Sequence, residues 1–170
     1  MKVYLIGYMF SGKTTLGKVL ARKLGYEFVD LDILFEQKYK TSIPIFFKKY
    51  GEQAFRIIEQ QVLKSTEALD NYVIATGGGT PCFFDNIEWI NAHGISVFFN
   101  PPVSKILYYA SISKKTRPIL VNKTDEERAL FVEQQLQERL PFYTQAHITF
   151  HTDNDISELV KIITQKQNHL

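Results

Sequence analysis

Gly7-Tyr8-Met9-Phe10-Ser11-Gly12-Lys13-Thr14 lies between the apolar run Val3-Tyr4-Leu5-Ile6 and the helically spaced Leu16-Gly17-Lys18-Val19-Leu20-Ala21. Strand, glycine loop and helix in this order, with the spacing G-x-x-x-x-G-K-[ST], predict a phosphate-binding loop. The task dictates the residue types. Backbone N–H groups must curl around phosphate oxygens, and the glycines allow that approach. Lys13 brings a mobile positive charge to the outer phosphates, and the Thr14 hydroxyl can ligate Mg²⁺. The helix beginning near Lys13 turns its positive dipole end toward the same anion. A glycine-containing turn with no ligand is the bland alternative, and it would not need these constrained positions. The loop therefore predicts a nucleoside triphosphate site contacted by Phe10, Ser11, Gly12, Lys13, Thr14 and Thr15.

Composition sets the outer bounds. A chain of 170 residues, 45% hydrophobic and 22% charged, fits one domain spanning residues 1–170 with a sizeable core. The net charge of +2 gathers on no face, so no nucleic-acid partner is expected. Cys82 is the single cysteine, which excludes an intrachain disulfide and points to a reducing, cytoplasmic setting. The short N-terminal apolar run leads straight into the loop, unlike a signal peptide, and no apolar stretch has membrane-spanning length. His147 and His151 flank a predicted strand and are read as surface or sheet-edge residues, not as metal ligands. The expected assembly is a monomer.

Outward from the loop, apolar β-rich runs alternate with helical segments. Strands are predicted at 2–7, 27–30, 72–75, 95–99 and 146–150. Helices are predicted at 13–24, 31–40, from Ser42 as N-cap to Gly51, and from Glu52 to about Leu69. Further helices are predicted at 84–93, from Pro101 to about Ser111, from Asp125 to about Leu140, and after Ile156. Residues 112–124 are polar and broken by Pro118, which predicts a mobile loop. Such alternation implies an α/β fold, a three-layer αβα arrangement around a mostly parallel sheet. Ligands of such sheets bind beyond the carboxyl ends of the strands. That edge gathers residues 7–14, Asp30, Asp32, Gly77-Gly78-Gly79 and Asn100.

Each group on the edge has a chemical reading. One carboxylate of Asp30-Leu31-Asp32 can orient water around Mg²⁺ beside Thr14, and the other can hold an acceptor hydroxyl. Asp30 can equally cap the next helix. Three consecutive glycines cost backbone entropy and make sense where something approaches the main chain closely. Arg117 in the mobile loop suits charge stabilisation over transferring phosphates. Taken alone, Arg56 reads as a solvated helix residue and Arg139 as a helix C-terminal cation. Cys82 reads as a passive small residue, because no cation near it in sequence suggests a lowered pKa. Asn122-Lys123-Thr124-Asp125 imitates the guanine-reading N-K-x-D of GTPases. The companion D-x-x-G is missing, so it reads as a chance match with Thr124 or Asp125 capping the next helix.

Together these residues resemble the shikimate kinase family of P-loop proteins over nearly the whole chain. The resemblance rests on residues 7–14, Asp30/Asp32, Gly51-Glu52-Gln53-Ala54-Phe55-Arg56, the glycine triplet, Arg117-Pro118 and Arg139-Leu140-Pro141-Phe142-Tyr143. It implies a five-stranded parallel sheet of order 2-3-1-4-5, a mobile lid near 112–124 and a substrate-binding helical region near 31–60. It implies Mg²⁺-dependent transfer of the ATP γ-phosphoryl group to the 3-hydroxyl of shikimate, in aromatic amino-acid biosynthesis. In the implied site Lys13, Asp32 and Arg117 are catalytic, and Asp32 holds the shikimate hydroxyls, as base or as positioning group. Thr14 and Asp30 serve Mg²⁺. Arg56 and Arg139 clasp the shikimate carboxylate, Gly77, Gly78 and Gly79 lie along the ring, and Arg117 reaches ATP. Related kinases of gluconate or nucleoside monophosphates lack this combination. Two departures stand out: Phe10 occupies a position where the family commonly has glycine, and Tyr108-Tyr109-Ala110-Ser111 lacks a second arginine before the lid. Lys114 or Lys115 can stand in for it as point charges, and adenine contacts are expected near 152–155.

Overall fold

The computed structural model describes residues 1–113 and 124–167. Five strands form one sheet: β1 (Lys2–Ile6), β2 (Glu27–Asp30), β3 (Tyr72–Ala75), β4 (Ile95–Phe99) and β5 (Ile148–Phe150). Every pairing is parallel and the order is β2-β3-β1-β4-β5, as the resemblance implied. Alternation along β1 shows how the sheet divides the core. Val3 and Leu5 face a layer containing Leu20, Ala21, Leu159 and Ile163. Tyr4 and Ile6 face a second layer with Leu31, Phe55, Val62, Ile90 and Val132. All five residues of β4 are buried, as its unbroken apolar run predicts for a strand covered on both faces.

The first layer is built on α1 (Lys13–Leu24) and α7 (Ile156–Gln167). The second contains α2 (Leu31–Tyr39), α3 (Ile43–Ser65), α4 (Asn86–His93) and α6 (Asp125–Tyr143). Helix α5 (Val103–Ile112) follows β4. Gly25 ends α1 in the left-handed conformation, its N–H returning to the carbonyls of Ala21 and Arg22. Gly51, at φ 79° and ψ 173°, kinks α3 where the sequence places a break.

Several element ends and caps differ from the sequence reading; β5, for one, begins at Ile148 and not at Ala146. Helix α3 stops at Ser65, not near Leu69, and Leu69 is extended. The Thr66 hydroxyl bonds the Leu63 carbonyl and the Tyr4 hydroxyl, competing with continuation of the helix. Ser42 precedes α3 but makes no side-chain cap; Glu36 accepts the Ile43 N–H instead. Helix α4 begins at Asn86, because a 3₁₀ turn over Thr80–Cys82 comes first and Phe84 has a left-handed φ of 53°. Helix α6 passes through Pro141 and ends at Tyr143, so Arg139 lies inside the helix and is not its terminal cation. Tyr143 is fully buried and donates to the Gly78 carbonyl at 2.6 Å, and that anchoring accompanies continuation past the proline. At the other end, Thr124 and Glu127 form a reciprocal capping box, as the alternative reading of N-K-T-D expected.

Candidate active site

The carboxyl ends of β1, β2 and β3 open into a cleft of about 590 Å³. It is lined by Phe10, Ser11, Gly12, Lys13, Thr14, Thr15, Asp30, Asp32, Gly77 and Gly78, and it extends to Lys105, Tyr109 and Thr152. The loop, both carboxylates and the glycine wall expected from the sequence therefore share one space. Arg56 lies against Gly79 and Arg139 against Gly78, next to the residues that line the cleft. Arg117, Lys114, Lys115, Asn122 and Lys123 lie outside the described residues.

The phosphate loop is shaped by its own lysine. Lys13 Nζ donates to the carbonyls of Gly7 and Tyr8, both at 2.7 Å, and to Ser11 Oγ at 3.3 Å, which curls the chain around the ammonium group. Gly12 caps α1 at φ 90° without a side-chain cap hydrogen bond, so the first-turn N–H groups have no cap competing with an anion. Phe10 is also left-handed, at φ 60°. That conformation costs a non-glycine residue on the order of 1–2 kcal/mol. The Phe10 ring packs partly buried against the second core layer. Thr14 Oγ1 donates to Asp30 Oδ2 at 2.8 Å, and Asp30 Oδ1 accepts the Asp32 N–H at 3.0 Å. Asp30 thus holds the Thr14 hydroxyl and caps α2 at once; the two roles do not compete.

Beside the cleft the arginines are pressed against glycine. A Cβ on Gly79 would stand 2.8 Å from both terminal nitrogens of Arg56, and one on Gly78 would stand 3.5 Å from an Arg139 nitrogen. The close approach that three glycines predict is made, in part, by the protein's own guanidinium groups. Arg56 is packed over the Phe83 ring at 4.1 Å and pairs with Glu59 at 2.8 Å and Glu52 at 3.0 Å. Arg139 sits 5.4 Å over the Tyr8 ring.

Glu59 was not anticipated. It is almost fully buried and accepts from Thr80 at 2.7 Å. A Cβ on Gly77 would come within 2.8 Å of its carboxylate and 3.3 Å of Asp32. Burial pushes its carboxyl group up, against the opposing pull of Arg56 and Thr80. The signal was legible: Glu59 falls on the same helical stripe as Phe55 and Val62, where a lone charge needs a partner. Burial also pushes the Cys82 thiol up to about 11, although Arg139 and Arg56 oppose it. The cations that the local sequence lacks arrive through the fold, yet burial outweighs them.

His147 accepts the Ser96 N–H at its ring and lies beside the Ser96 hydroxyl. No group of three or more His, Cys, Asp or Glu side chains among the described residues could hold a metal ion alone. The Thr14–Asp30 pair beside the loop nonetheless offers the hard oxygen donors that suit Mg²⁺ shared with phosphate.

The shikimate kinase family profile matches residues 9–168. The chain is 41% identical over 157 residues to the shikimate kinase of Parabacteroides distasonis, covering 92% of this chain and 91% of that protein. The crystal structure of shikimate kinase from Bacteroides thetaiotaomicron superposes with a TM-score of 0.90 at 40% identity, covering 100% of this chain and 99% of that one. Shikimate kinase from Acinetobacter baumannii in complex with shikimate gives 0.82 at 36% identity, covering 99% and 93%. The parallel sheet of order β2-β3-β1-β4-β5 agrees with these likenesses, and the chain belongs to the shikimate kinase family.

Proposed function

We infer that this chain transfers the γ-phosphoryl group of ATP to the 3-hydroxyl of shikimate, releasing ADP and shikimate 3-phosphate on the route to aromatic amino acids. The observation that carries this reading is the convergence of Arg56 and Arg139 on the glycine wall behind Asp32, next to the phosphate loop. Shikimate has a carboxylate at one end and hydroxyls at the other, so its site needs cations opposite an acceptor. Charge-assisted hydrogen bonds from two guanidinium groups supply about 1.5–3 kcal/mol each.

The roles follow from position. The N–H groups of residues 10–15 and the Lys13 ammonium hold the triphosphate and take up charge on the outer oxygens. Thr14 and Asp30 would hold Mg²⁺, which when bound neutralises charge on the phosphates. Asp32 accepts the hydrogen bond of the acceptor hydroxyl and aims its oxygen at the γ-phosphorus. The new P–O bond forms at that oxygen as the bond to the β-phosphate oxygen breaks, and the hydroxyl proton leaves toward Asp32. In a loose transition state little proton abstraction is needed early, so orientation is the larger part of this role. Arg117, expected from the sequence as the lid arginine, would add positive charge against the transferring phosphate. Residues 1–170 form one catalytic domain that works as a cytoplasmic monomer; among the described residues no helix is long and apolar enough to cross a membrane.

Parallel assays of ADP release with shikimate, gluconate and nucleoside monophosphates test the activity. Turnover with shikimate alone is expected. Turnover with gluconate and none with shikimate would overturn the assignment.

A further inference from the structure

Tyr8 has its backbone in one part of the site and its side chain in another. Its carbonyl accepts from Lys13 Nζ at 2.7 Å and from the Ser11 N–H at 3.3 Å, so the main chain belongs to the phosphate loop. The side chain is buried in the second core layer. There its hydroxyl donates to Gln135 Oε1 at 2.9 Å, and the Arg139 guanidinium stands 5.4 Å over the ring. Gln135 and Arg139 lie one helical turn apart on the same face of α6. Helix α6 therefore meets the ring twice, at its hydroxyl and at its face. Burial pushes the Tyr8 hydroxyl above its ordinary value of 10, against the pull of Arg139, so the guanidinium meets a neutral π face. The next residue brings the loop to the glycine wall. A Cβ on Gly78 would stand 3.1 Å from the Met9 nitrogen and 3.5 Å from an Arg139 nitrogen.

We propose that Tyr8 is a positioning residue for the acid substrate: its ring fixes the Arg139 guanidinium beside Gly78, although its backbone serves the triphosphate. The inference rests on the functional reading above, in which Arg139 meets the shikimate carboxylate. Arginine carries large rotamer freedom, and a loose guanidinium must give it up each time a carboxylate binds. An aromatic face tethered through Gln135 removes that freedom beforehand and keeps the planar fork aimed. The loop that Lys13 curls holds the ring from its other side. A residue of the nucleotide loop is thereby assigned to the other substrate.

Steady-state kinetics of Tyr8→Leu, with shikimate and ATP varied in turn, tests the assignment. Leucine keeps an apolar side chain in the core and removes the ring face. KM for shikimate should rise roughly three- to thirtyfold, with KM for ATP within about twofold of native. Tyr8→Phe keeps the face and should bring KM for shikimate back to within about threefold of native. Added to Arg139→Ala, Tyr8→Leu should raise KM for shikimate no further, because the ring acts through that guanidinium. Should Tyr8→Leu fail to fold, Tyr8→Met fills the space with a flexible side chain and should give the same split. A rise in KM for ATP as large as that for shikimate, an unchanged KM for shikimate, or additive losses in the double variant would overturn the proposal. NMR of isotope-labelled arginine side chains reads the geometry without turnover. The Arg139 Nε–H resonance, identified by its loss in Arg139→Ala, should shift in Tyr8→Leu and hold its place in Tyr8→Phe. A resonance indifferent to Tyr8→Leu would also overturn the proposal. A native protein that does not phosphorylate shikimate would overturn the functional reading, while the Arg139 resonance would still decide whether Tyr8 holds the guanidinium.

Discussion

Glu59 and Cys82 show how burial rewrites single residues around this cleft. The Glu59 carboxyl binds its proton more tightly in the folded chain than in the unfolded one. Its contribution to stability is therefore full below the ordinary value of 4.5 and is lost as pH rises through the raised folded value. Glu59→Gln abolishes that titration. Heat-denaturation midpoints across this range should show the native protein losing ground to the variant as pH rises to neutrality. A difference that stays constant, or turns toward the native protein, would mean that Arg56 outweighs burial. Cys82, the single thiol, is held neutral at physiological pH by a pKa near 11. Alkylation by iodoacetamide should be slow near neutrality and climb steeply only in strong alkali, because the thiolate is the nucleophile. A fast reaction at neutral pH would show that Arg56 and Arg139 dominate its surroundings.

Among the elements, the glycine segment after β3 is the most exacting, since Arg56 touches the space where Gly79 would carry a side chain. Gly79→Ala should displace the guanidinium and leave the sheet intact, because the crowded atoms are the far end of a flexible side chain. KM for shikimate should rise at least about tenfold, the loss of one charge-assisted hydrogen bond, with KM for ATP nearly unchanged. Unaltered kinetics would show that Arg56 binds nothing from this position. Much of this element was legible beforehand. A glycine triplet directly after a strand announces close approach, and the loop spacing announces phosphate. What approaches the glycines was not legible, because the pairing of Arg56 with Glu59 depends on which helical face is buried. Nor was the course of α6: proline predicts an ending, but the Tyr143 hydroxyl reaching Gly78 carries the helix past it. Local preference lost to a tertiary anchor.

For the molecule as a whole, the alternation of strands and helices carried the architecture, since a parallel sheet needs its crossovers and places its ligands at one edge. The loop after β1, Asp30 at the end of β2 and the glycines after β3 meet there by topology alone. Arg139 comes beside the glycine wall because α6 packs its Tyr143 under Gly78 and lays Arg139 over Tyr8. In the proposed function this distant helix brings the carboxylate-binding cation to the substrate. Steady-state kinetics of Arg139→Ala, with ATP and shikimate varied in turn, tests it most directly. KM for shikimate should rise by about 10- to 150-fold, the worth of one charge-assisted contact, with KM for ATP within about twofold of native. A larger rise in KM for ATP than for shikimate, or no change in either, would contradict it.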